Sequence, residues 1–191
     1  MVSQIKVNEI IKQSGSSITI GESGDTISIP SGATLNSAGT NTLTGISNTP
    51  AWMVNLSSSQ NVSTSTNTVI NFDTEVLDSA GAYDPSNGRF TVPSGQAGKY
   101  YVYAQLMRNN FFNSRYLVKI RVNDTQKIAA EDRNTDTGGT TFQTVQVAGI
   151  LDLSVGDYVN VSLFQDSGDS SGADGGSSSK SLFMGYKLIG V

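Results

Sequence analysis

The chain has no cysteine and no histidine. Without cysteine there is no disulfide, no thiolate metal site and no cysteine nucleophile. Without histidine the commonest general base and the commonest metal ligand are missing, and a Ser-His-Asp triad with them. Hydrolytic chemistry resting on carboxylates alone remains open. Charge is also scarce: Asp, Glu, Lys and Arg make up 15% of the 191 residues and the formal net charge is −4, whereas ordinary domains carry about 25% charged residues. So few cations on an acidic chain make a poor ligand for phosphate backbones or anionic lipid, and no nucleic-acid partner is expected. No stretch approaches about 20 apolar residues, so no membrane span is expected. The first eight residues hold no apolar run, which argues against a secretory signal. No cofactor and no metal is expected.

Helix signals are nearly absent. The patch Val7-Asn8-Glu9-Ile10-Ile11-Lys12 is too short to stand as a helix. What is present is a period of two, interrupted by Gly, Pro, Ser, Asn and Asp. From Met1 to about Asn48 the alternations are very short. Ile18 and Ile20 flank Thr19, and Ile27 and Ile29 flank Ser28. Turns follow at Gly21 to Asp25 and at Pro30-Ser31-Gly32, and Leu35, Leu43 and Ile46 come after them. One such strand buries no core, whereas stacked copies, or copies from three chains about an axis, do. The alternative is a polar linker, for which regularly spaced Ile and Leu have no use.

From about Thr49 to Val191 the strands are longer. Candidates are Ala51 to Leu56, Thr68 to Phe72, Arg89 to Val92, Lys99 to Leu106, Arg115 to Val122, Lys127 to Ala129, Thr141 to Leu151, Tyr158 to Phe164 and Ser181 to Leu188. Turn signals at Tyr83 to Gly88 and at Asn123-Asp124 separate them, and Gly156-Asp157 predicts a turn with Val155 and Val159 pointing inward on either side. Ser167 to Ser179 reads as a Ser/Gly/Asp loop. Many short strands with turns every 8–12 residues predict an all-β sandwich or barrel. Two domains follow: 1–48, a β-rich stem, and 49–191, a head.

Five motifs in order then resemble one family. They are Thr49-Pro50-Ala51-Trp52; Tyr83 through Gly88 to Val92; Gly98-Lys99-Tyr100-Tyr101-Val102-Tyr103; Leu151-Asp152-Leu153-Ser154-Val155-Gly156-Asp157-Tyr158-Val159; and Ser181 to Leu188 with its Phe183-x-Gly185-Tyr186 centre. Together they resemble the complement C1q and tumour-necrosis-factor-like jelly-roll family. The resemblance implies a jelly-roll β-sandwich that forms homotrimers through aromatic and aliphatic side chains. It places Trp52, Phe90, Tyr101, Tyr103, Phe183 and Tyr186 in the sandwich core or at the trimer interface. Some members bind calcium near the apex; Asp166, Asp169 and Asp174 could offer oxygens here, and a solvated turn explains them as well. Residues 5–10, 14–21 and 24–35 resemble the N-terminal stems of marine phage and cyanophage structural proteins. That resemblance implies a virion protein, a tail fibre, tail tip or capsid decoration, attached to other virion proteins through Ile5, Val7, Ile10 and Ile11, with its head exposed on the particle surface.

Two other functions compete. A carbohydrate or host-receptor module would use loops, and in the segment Arg108 to Arg115 the residues Asn110, Phe111, Phe112 and Asn113 could hold a host surface glycan, with the Phe rings stacking on a sugar; packing in an interface or core is the competing use of those rings. A carboxylate-only glycosidase needs two acids about 5–10 Å apart. Glu131 and Asp132 are adjacent, so on a strand they would point to opposite faces, and Glu75 pairs with nothing readable. The expectation is a non-enzymatic assembly module.

Overall fold

A computed structural model describes residues 10–11, 15, 19–34, 49–108, 114–134, 143–168, 171–176 and 180–189. The chain divides into two compact units, Met1–Gly45 and Ile46–Val191. Among its described residues the second unit holds thirteen strands: β1 Ala51–Asn55, β2 Gln60–Val62, β3 Thr68–Val69, β4 Thr74–Asp78, β5 Tyr83–Asp84, β6 Arg89–Thr91, β7 Gly98–Met107, β8 Ser114–Val122, β9 Thr125–Asn134, β10 Thr144–Leu153, β11 Tyr158–Gln165, β12 Ser171–Ala173 and β13 Leu182–Lys187. No helix occurs among the described residues.

Eleven of these strands form two antiparallel sheets, and β2 and β12 form a third, two-stranded one. One has five strands in the order β10-β7-β13-β1-β4. The other runs β5-β6-β11-β8-β9, with β3 added on β11. Sequentially distant strands lie side by side, β13 between β1 and β7, as an all-β jelly roll requires. Alternation puts every second side chain between the sheets. In β7, Tyr100, Val102, Ala104 and Leu106 are fully buried, and in β8, Tyr116, Val118 and Ile120 are. An aromatic cluster ties the sheets together. Trp52 from the five-stranded sheet stacks on Phe90 from the other, centroids 3.7 Å apart and planes within 8°, while Phe183 meets the same indole edge-on at 5.4 Å.

Three sequence readings change. Val155 is 53% exposed while Val159 is buried. Val155 sits in the turn closed by the Asp157 N–H to the Ser154 carbonyl, outside the strand, so strand parity does not reach it. The segment 167–179 is not all loop: β12 lies within it and pairs with β2, and Ser171 and Ala173 are buried. Neither strand shows in the sequence because the contact demands small residues. A Cβ on Gly172 would lie 2.7 Å from the Asn61 Cα. Finally, the described residues between 10 and 34 form no strand. They make two turns, Glu22 to Asp25 and Pro30 to Ala33, and leave Ile20, Ile27 and Ile29 exposed. Leu35, Leu43 and Ile46 lie outside the described residues.

Candidate functional site

The side chains that the five-stranded sheet turns away from the core are unusual for a solvent face. In β7 they are Lys99, Tyr101, Tyr103, Gln105 and Met107, the odd positions of a strand whose even positions are buried. Cross-strand register aligns them with their neighbours. One row reads Leu77, Met53, Met184, Tyr103, Ala148 across all five strands. The next reads Ala51, Tyr186, Tyr101, Ile150. Neither row contains a charged residue. Ile150 is 61% exposed and Leu77 49%, and the Met and Tyr side chains are half-buried. Tyr101 and Tyr186 pack with centroids 5.5 Å apart.

Polar groups bound this field. Beyond one row lie Asn55, Leu182, Gln105 and Gln146. There the Tyr103 hydroxyl donates to Gln105 Oε1 at 2.8 Å, and Gln105 Nε2 donates to the Lys180 carbonyl at 3.0 Å. Beyond the other row, Lys99 faces Asp152 at 3.8 Å. Burial pushes the Tyr103 hydroxyl above its usual pKa, with Tyr101 adding to the shift, so the row stays uncharged at neutral pH. Beneath the field, Tyr100 is buried and its hydroxyl, pushed up to about 12 by burial, donates to the Gln96 carbonyl at 2.6 Å.

The residues singled out in the sequence therefore separate by parity. Trp52, Phe90 and Phe183 lie in the core. Tyr101, Tyr103 and Tyr186 lie on the outward field together with Met53, Met184, Leu77, Ala148 and Ile150, which sequence reasoning missed. Only Met184 shares a strand, and so a parity, with a Tyr, Tyr186; the others join the rows through register alone. Asn110, Phe111, Phe112 and Asn113 lie outside the described residues, as do Ile5 and Val7. Ile10 and Ile11 are 65% and 74% exposed. Arg108, placed in a loop by sequence, is instead 1% exposed. Its guanidinium lies over the Tyr116 ring at 4.8 Å and donates to Ser114 Oγ at 2.8 Å.

The acids are engaged elsewhere. Glu131 takes two hydrogen bonds from Arg115, at 3.0 and 2.7 Å, and these hold its carboxyl below the usual range. A glycosidase acid needs the opposite shift. Asp166 Oδ1 accepts the Arg115 N–H. Asp174 accepts from Ser59 and Lys180, each at 2.7 Å. Asp169 lies outside the described residues, and among those described no group of three or more acids is arranged to hold a metal ion. Asn-x-Ser/Thr triplets, the pattern of glycosylation acceptors, begin at Asn55, Asn61, Asn123 and Asn160, and Asn55 and Asn160 are buried.

A family model for the C1q domain matches residues 51–188. Among solved structures, the globular domain of zebrafish complement 1qA protein is 16% identical, with a TM-score of 0.50 over 73% of this chain and 98% of that one. Murine APRIL, in its crystal structure at pH 5.0, is 13% identical, with a TM-score of 0.53 over 72% of this chain and 98% of that one. At these identities the likeness shows the jelly-roll fold. No curated protein matches the chain.

Proposed function

We propose, since the chain belongs to the C1q domain family through residues 51–188, that it is a non-enzymatic assembly module whose heads form a homotrimer through the outward face of the five-stranded sheet. Domains of this family are typically binding modules and commonly form trimers. The observation that carries the reading is the pair of uncharged rows. Five strands about 4.8 Å apart make a field roughly 19 Å wide, and a soluble monomer rarely leaves a contiguous apolar patch of that kind to water. Flat, aromatic and rimmed by polar groups, it has the composition of an interface centre.

The finer reading is a bacteriophage virion protein: tail fibre, tail tip or capsid decoration. Residues 1–48, with Ile5, Val7, Ile10 and Ile11 foremost, attach to other virion proteins, and the head is displayed on the particle surface. Two features support it, the likeness of the stem to phage stems and the exposed Ile10, Ile11, Ile20, Ile27 and Ile29. One copy does not cover these side chains, and attachment or association is what would. A host-receptor module is the second reading. It rests on the sequence, on the Asn- and Phe-rich segment Asn110, Phe111, Phe112 and Asn113, which lies outside the described residues.

Light scattering on the purified chain tests the assembly. The expected mass is three times the 20.1 kDa of one chain. A stable monomer overturns it. Normal incorporation into virions after deletion of 1–48 overturns the anchoring role.

A further inference from the structure

Sulfur enters this chain only as methionine: there are four Met residues and no cysteine. Three of the four, Met53, Met107 and Met184, are described, and all three point the same way. Met53 lies between buried Trp52 and Val54, Met107 between buried Leu106 and Arg108, and Met184 between buried Phe183 and Gly185. Strand alternation therefore turns each of them to the outward side of the five-stranded sheet. The strands of the other sheet contain no methionine. Methionine ordinarily fills gaps inside a core. Here none of the three belongs to the core, and each is half-buried.

Two of them are neighbours. Met53 pairs with Met184, and Met184 with Tyr103. Directly opposed side chains stand about 5 Å apart at Cβ, so two thioethers lie side by side in the middle of the uncharged field. Met107 stands apart from them, past the Gln105 position and beside Thr144.

A thioether in that place is apolar and a sulfoxide is not. Hydrogen peroxide makes the conversion without any other reactant. The sulfur lone pair attacks one peroxide oxygen, the S–O bond forms as the O–O bond breaks, and the departing hydroxide takes the remaining proton as water. Sulfur is oxidised by two electrons and the peroxide is reduced by two. The new oxygen is a strong hydrogen-bond acceptor. The only hydroxyl in the row Leu77, Met53, Met184, Tyr103, Ala148 is that of Tyr103, which already donates to Gln105 Oε1 at 2.8 Å. On a free chain water satisfies the sulfoxide. Against a second copy it is desolvated with no donor in its row, and a buried acceptor without a donor opposes association.

We propose that Met53 and Met184 form a site of oxidative modification by peroxide that blocks self-association of the heads. The inference rests on the reading that the outward face of the five-stranded sheet is the interface between copies. Oxidation acts on the unassembled chain, where both sulfurs meet solvent, and assembly shields them. Each sulfoxide weakens association about tenfold, and the two act together because they are adjacent. Met107, outside the uncharged rows, oxidises with little effect on assembly.

Peroxide treatment of the full chain, followed by peptide mass mapping and light scattering, tests it. Wild type gains one oxygen at Met53 and one at Met184 and falls from the triple mass to the single mass, with cooperative melting retained. The double variant Met53→Leu, Met184→Leu keeps the triple mass after the same treatment although Met107 is oxidised. Methionine sulfoxide reductases that between them accept both sulfoxide epimers restore the triple mass to oxidised wild type. A wild-type chain that carries both sulfoxides and stays trimeric overturns the proposal and leaves the interface reading standing. So does failure of Met53 and Met184 to take up oxygen, or loss of the triple mass by the treated double variant. If the double variant is monomeric before treatment, the reductases decide, and no recovery of the triple mass overturns the proposal. A wild-type chain that is monomeric before any peroxide overturns the interface reading and this inference with it.

Discussion

Trp52 is the largest buried side chain, and its position depends on a neighbour with no side chain. A Cβ on Gly185 would lie 2.6 Å from Trp52 Cζ2 and 2.8 Å from the Tyr101 carbonyl oxygen, so the indole occupies the space a side chain would need. Gly185→Ala forces the ring or strand β13 to shift, at a cost of about 2 kcal/mol. Thermal melting should show the midpoint lowered by roughly 6 °C; an unchanged midpoint would mean the ring retreats freely from Phe90. The close approach at Gly185 is readable from Phe183-x-Gly-Tyr186. That the approaching group is Trp52 is not, because the two are 133 residues apart in sequence and meet only through the β1–β13 register. Arg108 shows the reverse case. Beside an Asn- and Phe-rich segment it reads as a loop residue, and nothing local announces the Tyr116 ring that covers it.

At the scale of elements, the β8–β9 hairpin has the clearest local code. Asn123 and Asp124 both take left-handed backbone, φ 49° and 60°, as a two-residue turn requires, and Asn and Asp tolerate it best among residues other than Gly. The turn is then bonded to its surroundings. Asp124 accepts from the Tyr158 hydroxyl at 2.7 Å and from Asn160 Nδ2 at 3.0 Å. These bonds, with Arg121 and Arg89 nearby, hold its carboxyl below the usual range. Asp157 is lowered as well, by the Ser154 N–H and then by Asn123. A carboxylate whose folded pKa lies below its unfolded value binds fewer protons when folded. Its stabilisation is complete above the unfolded value, about 3.9, and is lost as pH falls through the lower folded value. Melting temperature should therefore drop below about pH 4, and Asp124→Asn should make that drop shallower while lowering stability at neutral pH. An identical acid slope in the variant would remove Asp124 from the account. Strands β2 and β12 lie at the other extreme. They are three residues each and built from Gln, Asn, Ser, Gly, one Val and one Ala, with no periodicity for a sequence reading to find.

For the whole molecule, the two outer faces of one sandwich carry contrasting chemistry, uncharged rows on one sheet and clustered cations on the other. A chain-wide average hides this. The low count of Lys and Arg does not show that register gathers five of them on one face, four of them beside Glu131 or Asp124. Met184 lies near the middle of the uncharged field, between Met53 and Tyr103, and is half-buried, so a polar replacement there leaves the core untouched. Met184→Glu should place three carboxylates near the proposed axis and convert the trimer to monomers by light scattering, with far-ultraviolet dichroism and cooperative melting retained. A Met184→Glu protein that keeps its triple mass would move the interface elsewhere.

The sequence by itself determined the all-β class, the positions of most long strands, the turns at 83–88 and 123–124, and the family, because each rests on short-range periodicity, turn chemistry or ordered motifs. Only the tertiary structure decided which outward side chains stand beside one another. Tyr101 and Tyr186 meet across β7 and β13, 85 residues apart, and Arg115 meets Glu131 and Phe164 across three strands. Strand parity fixes the face a residue occupies. Register between strands distant in sequence fixes its neighbours, and a surface is made of neighbours.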